Sequence, residues 1–224
     1  MLILFDIDGT LLLTNRAGLT AMQAATKEMY GDLVTFDGVD FAGRLDPLIW
    51  AAVVESHDID AEAEHDRFRA EYARQLRKLF DETATSNLLP GVRDLVEALD
   101  ARDDITLGLL TGNYPETGEM KIAAAGMDPG LFPIAAWGCD APLRRDLTPV
   151  AMQRYEEKYG QVIASDRVLV IGDTIHDVEC ASVHGCRSLA VATGPKYSIE
   201  ELEACGADRV VEDLSDTESI LNWI

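Results

Sequence analysis

The sequence predicts an α/β protein: a doubly wound, mainly parallel sheet with a helical lobe inserted after its first strand. Three observations carry this. Short apolar runs bounded by turn residues recur at Leu2 to Phe5, Ile105 to Leu110, Pro133 to Trp137, Arg167 to Ile171, Arg187 to Ala192 and Arg209 to Val211, as expected of strands buried on both faces. Helical patterns lie between most of them, which favours parallel strands joined by crossovers. And about a hundred residues separate Phe5 from Ile105, where a βαβ unit takes only ~30.

In chain order, the run Leu2 to Phe5 opens the sheet. The long gap is helical: Met22, Ala25 and Met29 share one face, and Phe68, Tyr72, Leu76, Leu79 and Phe80 share another. Asp60, Glu62 and Glu64 suit the N-terminal end of that second helix, where carboxylates meet the positive end of the dipole. Thr83 to Asn87 reads as a return linker and Pro90-Gly91 as the re-entry. This divides the chain into a core of residues 1–13 and 87–224 and a lobe of residues 14–86. In the core, Leu95, Val96 and Leu99 mark one helix, Leu147, Val150, Ala151 and Tyr155 another, and Leu202 opens a third.

Length and 47% hydrophobic content allow one sizeable core plus a smaller unit. No apolar stretch approaches the ~20 residues of a membrane span, and the N-terminus has no basic segment ahead of its apolar run, so a cytoplasmic location is expected. A formal charge of -21 disfavours nucleic acid and anionic lipid as partners. It suits either a salt-rich cytoplasm or an acidic protein kept soluble by its charge. Cys139, Cys180, Cys186 and Cys205 form no metal-ligand spacing and are expected to be reduced thiols packed as small hydrophobes. No heptad or self-complementary stripe appears, leaving monomer or homodimer open.

Ligands of open α/β sheets bind beyond the carboxyl ends of the strands. The first run is followed there by Asp6-Ile7-Asp8-Gly9-Thr10, the second by Thr111-Gly112-Asn113, and the run ending at Ile171 by Gly172-Asp173-Thr174-Ile175-His176-Asp177. Positions i and i+2 at a strand end point to one side, so Asp6 and Asp8 face one substrate. Like charges that close call for a cation, and an oxygen-only donor set with a third carboxylate at Asp173 suits Mg²⁺.

The motifs DIDGTLL, LLTGN and GDTIHD, with a helical insertion after the first, resemble the haloacid dehalogenase-like (HAD) hydrolases over essentially the whole chain. The insertion resembles the helical C1 cap of the phosphoglycolate phosphatase and β-phosphoglucomutase branch. The resemblance implies a Rossmann-like core and Mg²⁺-dependent hydrolysis of a small-molecule phosphate monoester. It implies Asp6 as the nucleophile that becomes a phosphoaspartate, Asp8 as acid and base, and Thr111 as a donor to the phosphoryl group with Gly112 and Asn113 beside it. Asp6, the backbone carbonyl of Asp8 and Asp173 would hold Mg²⁺, with Asp177 in or just behind the metal shell. The family's usual third-motif lysine is missing from Ala141 to Pro149. Arg144 or Arg145 is the substitute there, and Arg144 is preferred from relatives with arginine at that place.

Other residues carry less. Lys121 is expected on an exposed helix face rather than as the missing lysine. Arg44, in Gly43-Arg44-Leu45-Asp46, resembles the specificity loop of C1 caps and is expected to reach the substrate's distal groups; Asn15 and Arg16 fall at the expected hinge. His176 is expected to orient or pack beside its loop, and Thr193-Gly194 to be structural. His57, His65 and His184 are expected at surface or satisfied-core positions. The presence of Asp8 disfavours dehalogenation, and the lobe has only Lys27 and Lys78, neither placed to form the Schiff base of a phosphonate hydrolase. A phosphomutase of the β-phosphoglucomutase type shares every core residue and remains the enzymatic alternative; a non-catalytic phosphate-ligand-binding protein is the alternative from another class.

Overall fold

A computed structural model of the chain describes residues 1–55, 57–83 and 86–224. The first apolar run forms β1 (Leu2–Phe5), and its four side chains are all 0% exposed. Alternate residues serve opposite faces: Ile3 and Phe5 join one apolar cluster, Leu2 and Leu4 another, the period-two pattern of a strand covered on both sides. After β1 come β2 (Leu12–Leu13), α1 (Ala17–Tyr30), α2 (Asp46–Val54), α3 (His65–Glu82) and β3 (Asn87–Leu88). The chain continues through α4 (Val92–Asp100), β4 (Thr106–Leu110), α5 (Pro115–Ala124), β5 (Ile134–Ala136) and α6 (Leu147–Tyr159). It ends with β6 (Val168–Gly172), α7 (Ile175–Ser182), β7 (Arg187–Val191), α8 (Ile199–Ala204), β8 (Arg209–Val211) and α9 (Thr217–Trp223).

The main sheet has the order β5-β4-β1-β6-β7-β8, with every pair parallel. The chain winds outward from β1 to β5, then returns to wind the other way from β6 to β8, so the reversal lies at β1, where such sheets open a crevice. Helices α4, α5 and α9 supply Leu95, Ile122 and Ile220 to one face, and α6 and α7 supply Leu147 and Cys180 to the other. Each apolar run of the sequence corresponds to one strand of this sheet within a residue or two.

Helices α1 to α3 enclose a separate apolar cluster, in which Trp50 stacks on Phe68 at 4.2 Å between ring centroids and Phe68 on Tyr72 at 6.0 Å. The Trp50 indole N–H is satisfied by the Ala61 carbonyl at 2.8 Å, as burial of that ring requires. Two short strands join this lobe to the sheet: β2 and β3 pair antiparallel, Leu12 with Leu88 and Leu13 with Asn87. Ala84 and Thr85, inside the expected return linker, lie outside the described residues; Asn87, its last residue, is already in β3.

Two expectations are corrected. Lys121 is 4% exposed, on the buried face of α5 with Thr117, Gly118 and Ile122. Of the cysteines, Cys180 and Cys186 are buried, but Cys139 and Cys205 are exposed free thiols on a turn after β5 and the end of α8, not packed hydrophobes. Among the described residues, no helix is long and apolar enough to cross a membrane.

Candidate active site

A cavity of about 400 Å³ lies between the strand ends and the helical lobe. Asp6, Asp8, Thr111, Gly112, Asn113, Arg144, Asp173 and Arg44 all line it, together with Lys121, Asp46 and Tyr72. The strand ends deliver most of these groups. Asp6 follows β1, its amide donating to the Ile171 carbonyl of β6 at 2.9 Å. Asp8 sits in the tight turn that bridges to Leu12; Thr111 follows β4 and Asp173 follows β6.

Two ion pairs divide the floor of the cavity from its rim. On the floor, Arg144, from a 3-10 turn at Arg144–Asp146 before α6, places Nη2 3.0 Å from Asp6 Oδ2 and 2.7 Å from Asp177 Oδ1. All three side chains are less than a tenth exposed. Arg145 turns outward to Glu179 at 3.0 Å, with both side chains nearly half exposed. Asp177 is fixed as the third residue of a capping box: its Oδ2 accepts from the Thr174 amide at 3.0 Å and hydroxyl at 2.6 Å. Asp173 takes a hydrogen bond from Thr10 Oγ1 at 3.3 Å, and Gly194 backs it so closely that a Cβ there would overlap its carboxylate.

Asp6, Asp173 and Asp177 each bring a carboxylate oxygen within 4.8 Å of the others. Burial pushes the Asp6 carboxyl up to about 6; Arg144 opposes the rise, and Asp177 and Asp8 add to it. Burial likewise raises Asp173 well above the usual range, with Asp177 and Asp6 reinforcing. Burial works against the charge of Arg144, yet Asp177 and Asp6 lift its pKa well above that of a free guanidinium. Three carboxylates against one guanidinium leave this floor short of positive charge. An all-oxygen, buried, preformed set of this kind fits a hard divalent cation.

On the rim, Asp8 keeps 42% of its side chain exposed and pairs with Lys121 Nζ at 2.6 Å. Asn113 ties the pair together: its Nδ2 donates to Asp8 Oδ2 at 2.9 Å and to Thr111 Oγ1 at 2.8 Å, while its Oδ1 accepts from Lys121 at 2.6 Å. The lobe docks on the same loop. The Asp46 amide donates to the Gly112 carbonyl at 2.7 Å, and Asp46 Oδ2 accepts from the Tyr114 amide at 3.0 Å. Burial pushes Asp46 up to about 7, opposed by Lys121 and by the Tyr114 bond.

Arg44 is exposed at the cavity wall, and Asn15 and Arg16 line it as well, both with left-handed backbone, φ 49° and 67°. His176 packs beside Gly43, and Thr193 Oγ1 donates to the Gly9 carbonyl. From the sequence, Lys121 is expected on an exposed helix face and Tyr72 on an apolar one, and Asp46 has no role of its own. For Lys121 a signal existed: it stands three positions after Gly118, which is itself four before Ile122, the spacing of an inward helix face.

The profile of the haloacid dehalogenase-like hydrolases matches residues 1–185. A phosphoglycolate phosphatase of Vibrio parahaemolyticus is 30% identical over 223 residues, 96% of this chain and 93% of that protein. The crystal structure of a hydrolase from Pseudomonas syringae superposes with a TM-score of 0.72 at 25% identity, covering 99% of this chain and 98% of that one. CbbY from Rhodobacter sphaeroides in complex with phosphate shares the fold, with a TM-score of 0.71 at 18% identity over 96% and 95% of the two chains. With its parallel core, its helical lobe and a site built from three strand ends, two of them acidic, the chain belongs to the haloacid dehalogenase-like hydrolase family. Within that family it is a phosphatase, a phosphoric monoester hydrolase.

Proposed function

We propose that the chain hydrolyses a small-molecule phosphate monoester through a phosphoaspartyl intermediate on Asp6, with Mg²⁺ as cofactor and residues 14–86 as a cap over the core of residues 1–13 and 87–224. The observation that carries this is the pairing of roles on one strand end: Asp6 on the cavity floor 3.0 Å from Arg144, and Asp8 on the rim 2.6 Å from Lys121. Asp6, Asp173 and the Asp8 carbonyl would hold Mg²⁺, with Asp177 behind them. When bound, the cation supplies the positive charge that three clustered carboxylates and a phosphoryl group lack.

In the first half-reaction an Asp6 oxygen attacks phosphorus, the ester P–O bond breaks, and Asp8 gives its proton to the departing alkoxide. In the second, Asp8 takes a proton from water, whose oxygen attacks phosphorus and releases Asp6 and inorganic phosphate. Arg144 screens Asp6 from the incoming dianion and matches the charge on the equatorial oxygens. Thr111 Oγ1 accepts from Asn113, which directs its own hydrogen toward the phosphoryl site. Lys121 and Asn113 hold Asp8 in place for both proton transfers. Arg44 contacts the distal part of the substrate, and closure of the lobe excludes bulk water while the acyl phosphate exists.

Phosphoglycolate, the substrate in the name of the Vibrio relative, is the first ester to try. Phosphate release from a panel of small esters, with Mg²⁺ and with EDTA, tests the proposal against Asp6→Asn. Metal-dependent release that falls at least ~1000-fold in the variant is expected. Interconversion of hexose phosphate isomers without net release would reassign the chain to the mutases.

A further inference from the structure

Tyr72, on α3, is 0% exposed, yet its hydroxyl has no hydrogen-bond partner within 3.5 Å among the described residues, the Thr117 hydroxyl approaching it only more loosely. It lines the cavity. A buried hydroxyl left without a partner is unfavourable, and an orphan facing a cavity is an open position for something that enters the cavity. Burial, aided by Asp46 and Asp8, raises the phenol well above its usual range, so it remains a donor throughout the neutral region.

A second donor reaches the same patch of wall. A Cβ placed on Gly18 would lie 3.3 Å from both Tyr72 Oη and Lys121 Nζ, so the two polar atoms flank one spot that any side chain at this position would crowd. The ammonium carries three hydrogens; Asp8 and Asn113 receive two, leaving one. Two carboxylates that line the cavity, Asp46 and Asp8, stand near enough to act on the Tyr72 phenol. A carboxylate or second phosphate brought here would face both acids at short range. A hydroxyl accepts from Tyr72 or Lys121 and donates to a carboxylate, satisfying each side without added charge.

Building on the phosphatase proposal, we infer that Tyr72 and Lys121 form a subsite across Gly18 that hydrogen-bonds an uncharged hydroxyl on the leaving alcohol. The substrate is then a polyol or sugar phosphate rather than a simple phospho-acid. Tyr72 is a specificity residue carried on the third helix of the lobe, distant in sequence from the Arg44 loop.

The test reads binding apart from turnover. Dissociation constants of glycerol 3-phosphate, propyl phosphate and phosphoglycolate are measured by calorimetry with Mg²⁺ in full-length Asp6→Asn, with and without Tyr72→Phe. Tyr72→Phe is expected to weaken glycerol 3-phosphate about tenfold while moving propyl phosphate less than about threefold. Its melting temperature should stay close to that of the parent, because the hydroxyl removed has no protein partner within 3.5 Å to lose. Equal shifts for the first two esters, no shift, no measurable binding of glycerol 3-phosphate, or a larger loss for phosphoglycolate would each overturn the subsite. Because the background is already inactive, failure here is distinct from failure of the phosphatase proposal, which wild-type phosphate release decides separately.

Discussion

Asp6 and Asp8 stand two residues apart, and each meets a cation, but in opposite surroundings. Asp6 is buried with Arg144 among two further carboxylates, Asp173 and Asp177. Asp8 is nearly half exposed and has Lys121 as its partner, with Asn113 bonding both. The floor is therefore short of positive charge and hidden from water, while the rim is balanced and hydrated. On the proposed mechanism the first arrangement needs an added cation and the second needs position, so the two halves should fail differently when disturbed.

The largest difference is expected from Arg144→Met. It strands Asp6 and Asp177 as buried charges, so stability should fall by about 3 kcal/mol in chemical denaturation, and kcat by at least ~100-fold. Arg144→Lys should recover part of both; full recovery would show that any single nitrogen in the place of Nη2, which meets both carboxylates, is enough. Next is the metal itself. Mg²⁺ at about a hundred times its Kd should stabilise the wild type by about 2.7 kcal/mol. In Asp173→Asn most of that gain should vanish in a thermal-shift titration, whereas Lys121→Met should keep it. Equal loss in both variants would erase the distinction between floor and rim.

Asp46, beside the rim, sharpens the comparison through pH. Burial raises its folded pKa from 3.8 to about 7. Between those values the unfolded chain gives up a proton that the folded chain keeps, so this group lowers stability as pH rises through the window, with the full cost present above it. Asp46→Asn should therefore be more stable than wild type at pH 8, by on the order of 2 kcal/mol, and indistinguishable from it at pH 4. A gain of the same size at both pH values would mean that packing, not ionisation, is responsible. The smallest effect is expected from Lys121→Met. Asp8 can be hydrated when its partner goes, so the melting temperature should drop less than in Arg144→Met. Activity on an alkyl phosphate should fall about tenfold more than on p-nitrophenyl phosphate, whose leaving group needs no proton; equal losses would show that Lys121 does not act through Asp8.

The strands were legible in the sequence because each is buried on both faces and reads as an uninterrupted apolar run. The acidic loops after β1 and β6 were legible because their residues are adjacent in the chain. Lys121 was misjudged for the opposite reason. A lysine on a helix is ordinarily solvated, and its burial depends on two partners, Asp8 and Asn113, one of them 113 residues away in sequence. Tyr72 was recognised only as part of an apolar face, since periodicity reports the ring and says nothing of where the hydroxyl ends. Asp46 opens α2, and its depth is set by the bond from its amide to the Gly112 carbonyl, a contact between lobe and core with no local signature. The two-residue strands β2 and β3 are too short to produce any pattern.

Those two strands also bear on how the proposed cap would open. Both passages of the chain between lobe and core run through one hydrogen-bonded ladder, a single axle that would favour turning over sliding. Leu12, on that axle, receives the Gly9 amide on its carbonyl at 2.9 Å and bridges to Asp8. A cap that opened by turning about this ladder would carry the turn through Leu12 to Asp8, and the opening angle and the readiness of the proposed acid and base would become one mechanical variable.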